Sequence, residues 1–350
     1  MSLNTIYIIT NKKGVFNMGK KKIDLTFNKD NPKYYYGIPN YHSNFSTGNS
    51  TPVEAFEYAY KSRLDFMFIT DHNSYLSDMI SIKDTKDYKF QFVRYYASKI
   101  RKKYDNFIPL VGFETKTYLY GNFNIMNSDN FFTGLVTDFK VLALWMMNNP
   151  EAFISIHHPQ KNIKALPFSP ILNKIITSIE VGNCTSNFPN VKYDKYYFSL
   201  LDDGWKLGAI NGQHNTTKVC DCENLTVCIS NNLSKKDIIE AFRLRRTYSS
   251  ESKYLKFHFT IDDNFMGEEL HLKSNLIKFS IFCEDIKYKI KEIHIISNKG
   301  VVIKKIDDIN LSSIKYLFDH EVSANESWYV VKLIQDNDKT AYSSPIFISR

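Results

Sequence analysis

Histidines and carboxylates that come directly after apolar runs are the residues best suited to chemistry. Asp71 and His72 follow the apolar run 66–69, and His42 lies one predicted helix earlier. Groups at the carboxyl ends of successive strands in parallel α/β folds converge on one mouth, so these three side chains are expected to meet there. Glu114 follows another apolar run, where burial of a carboxylate is unfavourable unless a cation accompanies it. A salt-bridged core glutamate is the alternative explanation for that position.

Local signals identify the elements that must position these residues. Thr51 and Glu54 flank a proline in a capping-box pattern, which predicts a helix over residues 52–62. The stretch 65–70 is apolar on both faces and predicts a fully buried strand. Residues 76–106 predict one charged helix, because apolar positions recur there at helical spacing. Further buried strands follow the same pattern at 108–113, 152–156, 175–181 and 225–229, with a helix near 137–148.

The hydrophobic pattern of the sequence changes near residue 250. From there to the end, short alternating segments are separated by turn residues, which predicts a β-sandwich of about seven strands. Two short alternating segments near the start, Thr5–Thr10 and Lys22–Phe27, are interpreted as edge strands. We therefore expect three parts: an N-terminal extension at 1–35, an α/β domain at 36–249 and an all-β sandwich domain at 250–350.

Composition indicates a folded globular protein and narrows its partners. The chain of 350 residues can bury a large core. It contains no apolar run of about 18 residues, so no membrane span is predicted. The start lacks the charged lead and cleavage site of a secretory signal, so a cytoplasmic location is expected. The net charge of +8 is scattered rather than gathered in one basic stripe. This argues against nucleic acid and leaves a small, anionic molecule as the expected substrate, whereas the oligomeric state stays open.

The cysteines allow two interpretations. Cys220, Cys222 and Cys228 could supply thiolates to a metal site, but their spacing differs from the paired C-x-x-C arrangement of structural zinc. Reduced, structural thiols are therefore the preferred interpretation.

Two motifs resemble the PHP superfamily, which takes its name from polymerase and histidinol phosphatase domains. The stretch Gly37–Gly48 keeps the frame of Gly-Asp-Leu-His-x-His-Ser-x-x-Ser-Asp-Gly, and Ile69–Asn73 matches Ile-Thr-Asp-His-Asn completely. The resemblance covers about residues 36–350, because further motifs follow in order: Glu114, Gly121–Asn124, His157–Pro159, Glu180 and Asn211–Asn215. Arg246–Tyr248 and the last two predicted strands are similar to a two-domain, carbaryl-hydrolase-like branch of the superfamily.

The resemblance implies a distorted TIM-like (β/α)7 PHP barrel followed by a C-terminal, all-β, immunoglobulin-like sandwich. It implies metal ligands at the barrel mouth: His42, Asp71, His72, Glu114, His158 and His214. The expected catalytic residues are Glu114, His158 and Glu180, of which Glu180 takes an orienting or substrate-facing role. Family chemistry would use divalent ions (Zn, Mn or Fe) to activate a water that attacks a phosphate or other ester. No Ser-His-Asp or Cys-His arrangement competes as a nucleophile.

Several positions depart from the family pattern. Asn40, Thr47 and Gly212 stand where the family has ligands, and Asn122 replaces a further histidine. The reduced set of ligands predicts one or two bound ions.

Two functions from different classes follow from these motifs and their departures. The first is a metal-dependent hydrolase, expected to be a phosphoesterase, and the alternative is a catalytically weak or inactive PHP-fold binding protein that recognises an anionic or carbohydrate-like ligand.

Overall fold

The computed structural model describes residues 27–184, 191–213 and 223–350, and the backbone of two N-terminal strands. Those strands, β1 (Ile6–Thr10) and β2 (Phe16–Lys20), form an antiparallel pair. The first agrees with the predicted segment 5–10. The second predicted segment, 22–27, lies outside the described residues except for Phe27.

Strands and helices alternate from residue 33 to residue 250. The strands of this part are β3 (Lys33–Ile38), β4 (Phe66–Ile69), β5 (Met79–Ile82), β6 (Thr85–Tyr88), β7 (Ile108–Lys116), β8 (Asn122–Met126), β9 (Phe153–His157), β10 (Ile176–Asn183), β11 (Val191–Lys192), β12 (Gly208–Gly212), β13 (Leu225–Ser230) and β14 (Thr247–Ser250). The helices are α1 (Pro52–Lys61), α2 (Asn73–Leu76), α3 (Lys89–Lys103), α4 (Phe139–Met147), α5 (Pro170–Ile175), α6 (Asp194–Asp202) and α7 (Lys235–Arg243), and Lys161–Ala165 forms a 3₁₀ helix.

One large sheet positions the candidate residues. Its strand order through this part is β11-β10-β9-β8-β7-β4-β3-β13-β14, and β12 pairs with β10. The strands β3, β4 and β7 are parallel, as are β9, β10 and β12, whereas β8 is antiparallel to both of its neighbours. The carboxyl ends of β4, β7, β9 and β10 therefore lie at the same edge. The mixed α/β class agrees with the sequence, and closure into a seven-stranded barrel stays a prediction.

Helix α1 forms as its capping signals predict. The Glu54 N–H donates to Thr51 Oγ1 at 3.2 Å, and the Thr51 N–H donates to Glu54 Oε2 at 2.8 Å, so both halves of the capping box are present. The helix buries Ala55, Phe56 and Ala59. This packing fixes the connection between the two segments that carry His42 and His72.

Residues 76–106 do not form one helix, so that prediction is wrong. Strands β5 and β6 pair as a hairpin before α3 begins at Lys89. The two-residue turn between them holds Lys83 in the left-handed region, with φ of 54°. Ile80 and Ile82 are β-branched and favour the strand, which overrides the helical spacing of the apolar residues further along.

The part after residue 250 is built from strands, in agreement with the predicted all-β region. They are β15 (Leu255–Ile261), β16 (Asn264–Phe265), β17 (Glu269–His271), β18 (Leu276–Asp285), β19 (Ile290–Ser297), β20 (Val301–Ile306), β21 (Ser313–Glu321), β22 (Trp328–Gln335), β23 (Thr340–Ser343) and β24 (Ile346–Ser349), with a 3₁₀ turn at Asn298–Gly300. A four-stranded sheet has the order β16-β15-β18-β21. Apolar side chains from this sheet and from β19 and β22 form one core.

The large sheet continues across residue 250, because β14 pairs with β23 and the order then runs β22-β19-β20. Phe198 of α6 also stacks on Trp328, with ring centroids 5.6 Å apart. The two parts of the chain thus share a sheet and a core contact. The predicted domain boundaries and the immunoglobulin-like topology stay predictions.

Two features bear on the predicted location. Cys228 and Cys283 are free and buried, but Cys184, just after β10, is disulfide-bonded, so the prediction that all thiols are reduced is wrong. Disulfides are rare in reducing compartments, and the cytoplasmic location stays a prediction. Within the described residues no helix combines the length and the apolar character needed to cross a membrane.

Candidate metal site

Backbone hydrogen bonds join the three chain segments that carry the candidate ligands. The Thr70 N–H donates to the Tyr41 carbonyl at 2.8 Å, and the Glu114 N–H donates to the Asp71 carbonyl at 3.0 Å. The segments after β3 and β4 and the end of β7 are therefore held in fixed register. This is the convergence that the strand order predicts.

The loop after His42 is organised by the Asp71 carboxylate. Its oxygens accept from the Ser43 N–H at 2.7 Å, from Ser43 Oγ at 2.6 Å and from Ser46 Oγ at 2.5 Å. The loop then turns so tightly that a Cβ atom at Gly48 would overlap the His42 carbonyl. Asp71 thus fixes the backbone from which His42 projects. Its predicted role as a metal ligand stays a prediction.

His42, His72 and Glu114 form a group that could hold a metal ion, with one ligand atom from each and all three atoms within 4.8 Å of one another. The separation is 3.6 Å from His42 Nε2 to Glu114 Oε2 and 3.1 Å from His72 Nδ1 to Glu114 Oε1. Charge-assisted hydrogen bonds are shorter, at about 2.7–2.9 Å. Ligand atoms at about 2.0–2.2 Å from a shared ion lie roughly 3.0–3.6 Å apart, which these separations match.

The Glu114 carboxylate is buried and only half satisfied. Oε1 accepts from Asn122 Nδ2 at 2.8 Å, whereas Oε2 has no hydrogen-bond partner among the described residues. Burial alone raises the pKa of Glu114, but the neighbouring imidazoles of His42 and His72 hold that pKa well below its usual value. An ionised oxygen without a donor is unfavourable in a buried site, and a divalent ion would satisfy it. The residues present therefore fit a metal ion.

The pKa of His42 responds to the same carboxylate. Burial lowers the pKa of this imidazole, but the Glu114 carboxylate outweighs burial and raises it overall. A proton and a metal ion would compete for these groups, so metal affinity should fall in acid. The side chain of His72 is 18% exposed, whereas those of His42 and Glu114 are fully buried. Solvent therefore reaches the three-residue group on the side of His72.

Three asparagines lie next to this group, and two of them, Asn40 and Asn122, stand where the family pattern has histidines. Thr70 Oγ1 donates to Asn40 Oδ1 at 2.7 Å and accepts from Asn124 Nδ2 at 3.1 Å, and Asn40 and Asn124 are fully buried. Asn122 donates to Glu114 as described above. These amides form hydrogen bonds and leave one three-residue ligand group within the described part of the chain.

Within the described residues, His158 and Glu180 do not belong to the three-residue group. Glu180 contacts His158 at the ends of β10 and β9, with 3.2 Å between Glu180 Oε2 and His158 Nδ1. Thr47 is exposed in the loop organised by Asp71. His214 lies outside the described residues. The roles predicted for His158, Glu180 and His214 stay predictions.

Comparison with known proteins supports the fold. No protein-family model matches the sequence, and no curated protein matches it. A solved two-domain protein from Bacteroides vulgatus ATCC 8482, which contains a predicted PHP-like metal-dependent phosphoesterase, aligns with 95% of this chain and 100% of its own, at 17% identity and a TM-score of 0.52. An amidohydrolase from Chromobacterium violaceum, solved with sulfate and no metal, aligns with 60% of this chain and 96% of its own. The identity is 12% and the TM-score is 0.38, too low to support a conclusion about this chain.

The chain therefore shares the fold of this protein, which contains a predicted PHP-like domain, and the motif resemblance is confirmed at the level of the fold. Membership of the carbaryl-hydrolase-like branch stays a prediction.

Proposed function

We propose that this protein is a metal-dependent hydrolase, and specifically a phosphoesterase, that works with a reduced metal set centred on one ion. The observation that carries the proposal is the group of His42, His72 and Glu114, in which one buried, ionised oxygen of Glu114 has no donor among the described residues. Two imidazoles and one carboxylate are a donor set of catalytic zinc and iron sites, which keep a position open for water or substrate.

Each residue of the group has a part in this proposal. A bound ion would supply Lewis-acid chemistry that stabilises negative charge on an ester. Glu114 would hold the ion, with Asn122 fixing the orientation of its carboxylate through Oε1. His42 would bind from the buried side, and His72, which is partly exposed, would face the substrate. Zn, Mn and Fe all suit these ligands.

The preference for a phosphate ester rests on the structural neighbour from Bacteroides vulgatus, which contains a predicted PHP-like metal-dependent phosphoesterase. The expected substrate is therefore a small anionic ester. A fold alone does not fix the chemistry. Amides and carbamates accordingly belong in the same substrate screen as phosphomonoesters and nucleotides.

The alternative, a weak or inactive binding protein, draws support from the asparagines. Asn40 and Asn124 are tied to Thr70 by hydrogen bonds, so they do not add ligands to the group. A binder of anionic or carbohydrate-like molecules would retain the fold without needing the ion. Protein purified without chelator discriminates the two: less than about a tenth of an equivalent of Zn, Mn or Fe favours the binder.

The test of the hydrolase combines metal analysis with turnover of an aryl phosphate. Wild-type protein should carry close to one equivalent of metal, and chelation should abolish turnover that Zn, Mn or Fe then restores. A matched control is Glu326→Gln, because Glu326 is a buried carboxylate 2.9 Å from His320 Nε2 in the C-terminal part, away from the ligand group. Turnover that survives complete chelation would contradict the proposal.

A further inference from the structure

Strand β7 carries a lysine just beyond the candidate metal site. Lys116 lies two residues after Glu114, and alternate residues of a strand face the same side of the sheet. Thr115, between them, faces the other side. Its Oγ1 atom donates to the Gly134 carbonyl at 3.2 Å and accepts from Asn73 Nδ2, also at 3.2 Å. Lys116 therefore shares the face of Glu114 and lies one step closer to the end of the strand.

The strand register places Lys116 in a polar row that crosses three strands. Lys116 is paired with Asn122 of β8, and Asn122 is paired with His157 of β9. Side chains of directly paired residues in antiparallel strands share a face, with Cβ atoms about 4.5–5.5 Å apart. Asn122 shows which face this is, because its Nδ2 atom donates to Glu114 Oε1 at 2.8 Å. The row thus lies beside the three-residue ligand group.

The far end of this row is closed by a carboxylate and adds no positive side chain. His157 is fully buried, and its Nδ1 atom lies 3.5 Å from Glu180 Oε1. A Cβ atom at Gly212 on β12 would overlap the same oxygen, because Glu180 fills the volume that a side chain there would take. Lys116 is therefore the only lysine or arginine in the row that runs from Lys116 to Glu180.

The ammonium group of Lys116 is available to a ligand. The residue is exposed, and its ammonium forms no ion pair or hydrogen bond with the residues that the structure describes. The two buried carboxylates near the row, Glu114 and Glu180, would repel an anionic ester, so positive charge is needed on the outer side of the site. Lysine is a point charge on a flexible four-carbon stem, which suits it to contact phosphate oxygens.

We infer that Lys116 binds the anionic group of the substrate and thereby selects a phosphate ester over a neutral ester or amide. This inference deepens the proposed function and rests on it for the position of the substrate at the three-residue group. Lys116 would hold the anion in the bound state and in the transition state alike, so its loss should change KM more than kcat. A lost hydrogen bond to a charged group corresponds to about 10- to 100-fold in affinity.

The first test is the binding of inorganic phosphate, measured by isothermal titration calorimetry on protein loaded with one equivalent of Zn. Lys116→Met should raise the Kd for phosphate by about 10- to 100-fold, whereas Lys116→Arg keeps the charge and should retain most of the affinity. The matched control is Lys315→Met, because Lys315 is an exposed lysine on β21, in the four-stranded sheet that does not carry the ligand group. This control should leave phosphate binding unchanged. Wild-type protein that does not bind phosphate, or a Kd that Lys116→Met leaves unchanged, would overturn the inference.

The second test compares two substrates with the same leaving group, p-nitrophenyl phosphate and p-nitrophenyl acetate. In Lys116→Met the KM for the phosphate should rise by about 10- to 100-fold with kcat little changed, while the KM for the neutral acetate stays within about twofold. An equal rise for both esters would mean a general disturbance of the site and would overturn selection by charge.

Failure of the inference and failure of the proposed function give different results. If the protein takes up no metal and turns over neither ester, the hydrolase is overturned, and the same phosphate titration on the chelator-treated protein decides whether Lys116 binds the anion. If the protein hydrolyses the phosphate ester with a KM that Lys116→Met leaves unchanged, the hydrolase stands and the role of Lys116 is overturned.

Discussion

Glu114 and Glu180 are both fully buried, and each lies within 3.6 Å of two imidazole nitrogens, yet their environments are built differently. Glu180 receives a hydrogen bond on each oxygen, whereas Glu114 receives one on Oε1 and none from the described residues on Oε2. The number of histidines is the same in both clusters. The number of donors to the carboxylate is therefore the feature that separates the two clusters.

Asp65 adds the reference case of a buried carboxyl without an imidazole. Burial raises the pKa of Asp65 to about 6, although its Oδ2 atom accepts from the Tyr36 N–H at 2.7 Å. Burial also raises the pKa of Glu180, but His158, His157 and the His158 N–H reverse that effect and bring it to about 2. The imidazoles thus keep both glutamates charged where burial alone would favour their neutral forms.

The largest effect is expected from Glu114→Gln. This change keeps the shape but removes the charge that joins His42 and His72, so metal affinity should fall by at least about 100-fold, more than the loss of an outer residue causes. Turnover of an aryl phosphate should disappear with the metal. Metal content by mass spectrometry and turnover by absorbance measure the two effects.

Glu326→Gln is the opposite case and the control. Glu326 Oε2 accepts from Tyr329 Oη at 2.7 Å and from the Ser323 N–H at 2.9 Å, so its loss should lower the free energy of unfolding by about 1–3 kcal/mol. Metal content should stay at the wild-type level. Equal metal loss in the two variants would contradict the assignment of Glu114.

The cluster of His42, His72 and Glu114 was largely predictable from the sequence, whereas the arrangement around Glu180 was not. His42, His72 and Glu114 each lie just after, or near the end of, a strand of a parallel set, so strand order alone brings them together. The relation of Glu180 to Gly212 depends on one side chain that fills the volume of another residue. Motif comparison registers Gly212 as a missing ligand and cannot show that the space is taken.

The same limit applies to the asparagines near Glu114. The motif at Gly121–Asn124 is visible in the sequence, and Asn122 and Asn124 alternate along β8 and face the same side. Which amide bonds Glu114 and which bonds Thr70 depends on register. Register in turn depends on the antiparallel placement of β8, whereas the sequence argument assumed parallel strands throughout.

Glu180→Gln and Gly212→Ala should produce the next largest effect. Both disturb His158 through the Glu180 carboxylate, one by removing its charge and one by displacing it, so turnover should fall by about 10- to 100-fold. Metal content should remain within about twofold, because the described contacts of Glu180 do not include His42, His72 or Glu114. Loss of metal as complete as in Glu114→Gln would place Glu180 in the ligand group.

Asp71→Asn should have a smaller effect, on the loop that carries His42. The variant keeps one acceptor oxygen but weakens the three charge-assisted bonds from Ser43 and Ser46, which should lower the free energy of unfolding by about 2 kcal/mol. Metal affinity should fall by about tenfold, because His42 is less firmly held.

The matched variant is Ser46→Ala, which removes one of these bonds and leaves the charge. It should reproduce about a third of the stability loss from Asp71→Asn, as measured by urea unfolding. If Asp71→Asn removes the metal while the stability is unchanged, Asp71 is a metal ligand and its loop contacts are secondary.

The smallest effect is expected at Asp65, where the influence of burial on a carboxyl pKa can be measured without a neighbouring imidazole. The folded pKa of Asp65, about 6, lies above its ordinary value of 3.8, so the folded state binds the proton more tightly than the unfolded state. Between about pH 4 and pH 6 the contribution of Asp65 to stability is therefore lost as the pH rises, by at most roughly 3 kcal/mol. In Asp65→Asn, whose amide oxygen can still accept from Tyr36, that loss should vanish.

The free energy of unfolding of the variant relative to wild type should rise by about 1–2 kcal/mol from about pH 4.5 to about pH 7.5, while the exposed control Asp84→Asn shows no such change. A constant difference would mean that burial does not set the pKa of an isolated carboxyl in this fold, and the contrast with Glu114 and Glu180 would lose its reference.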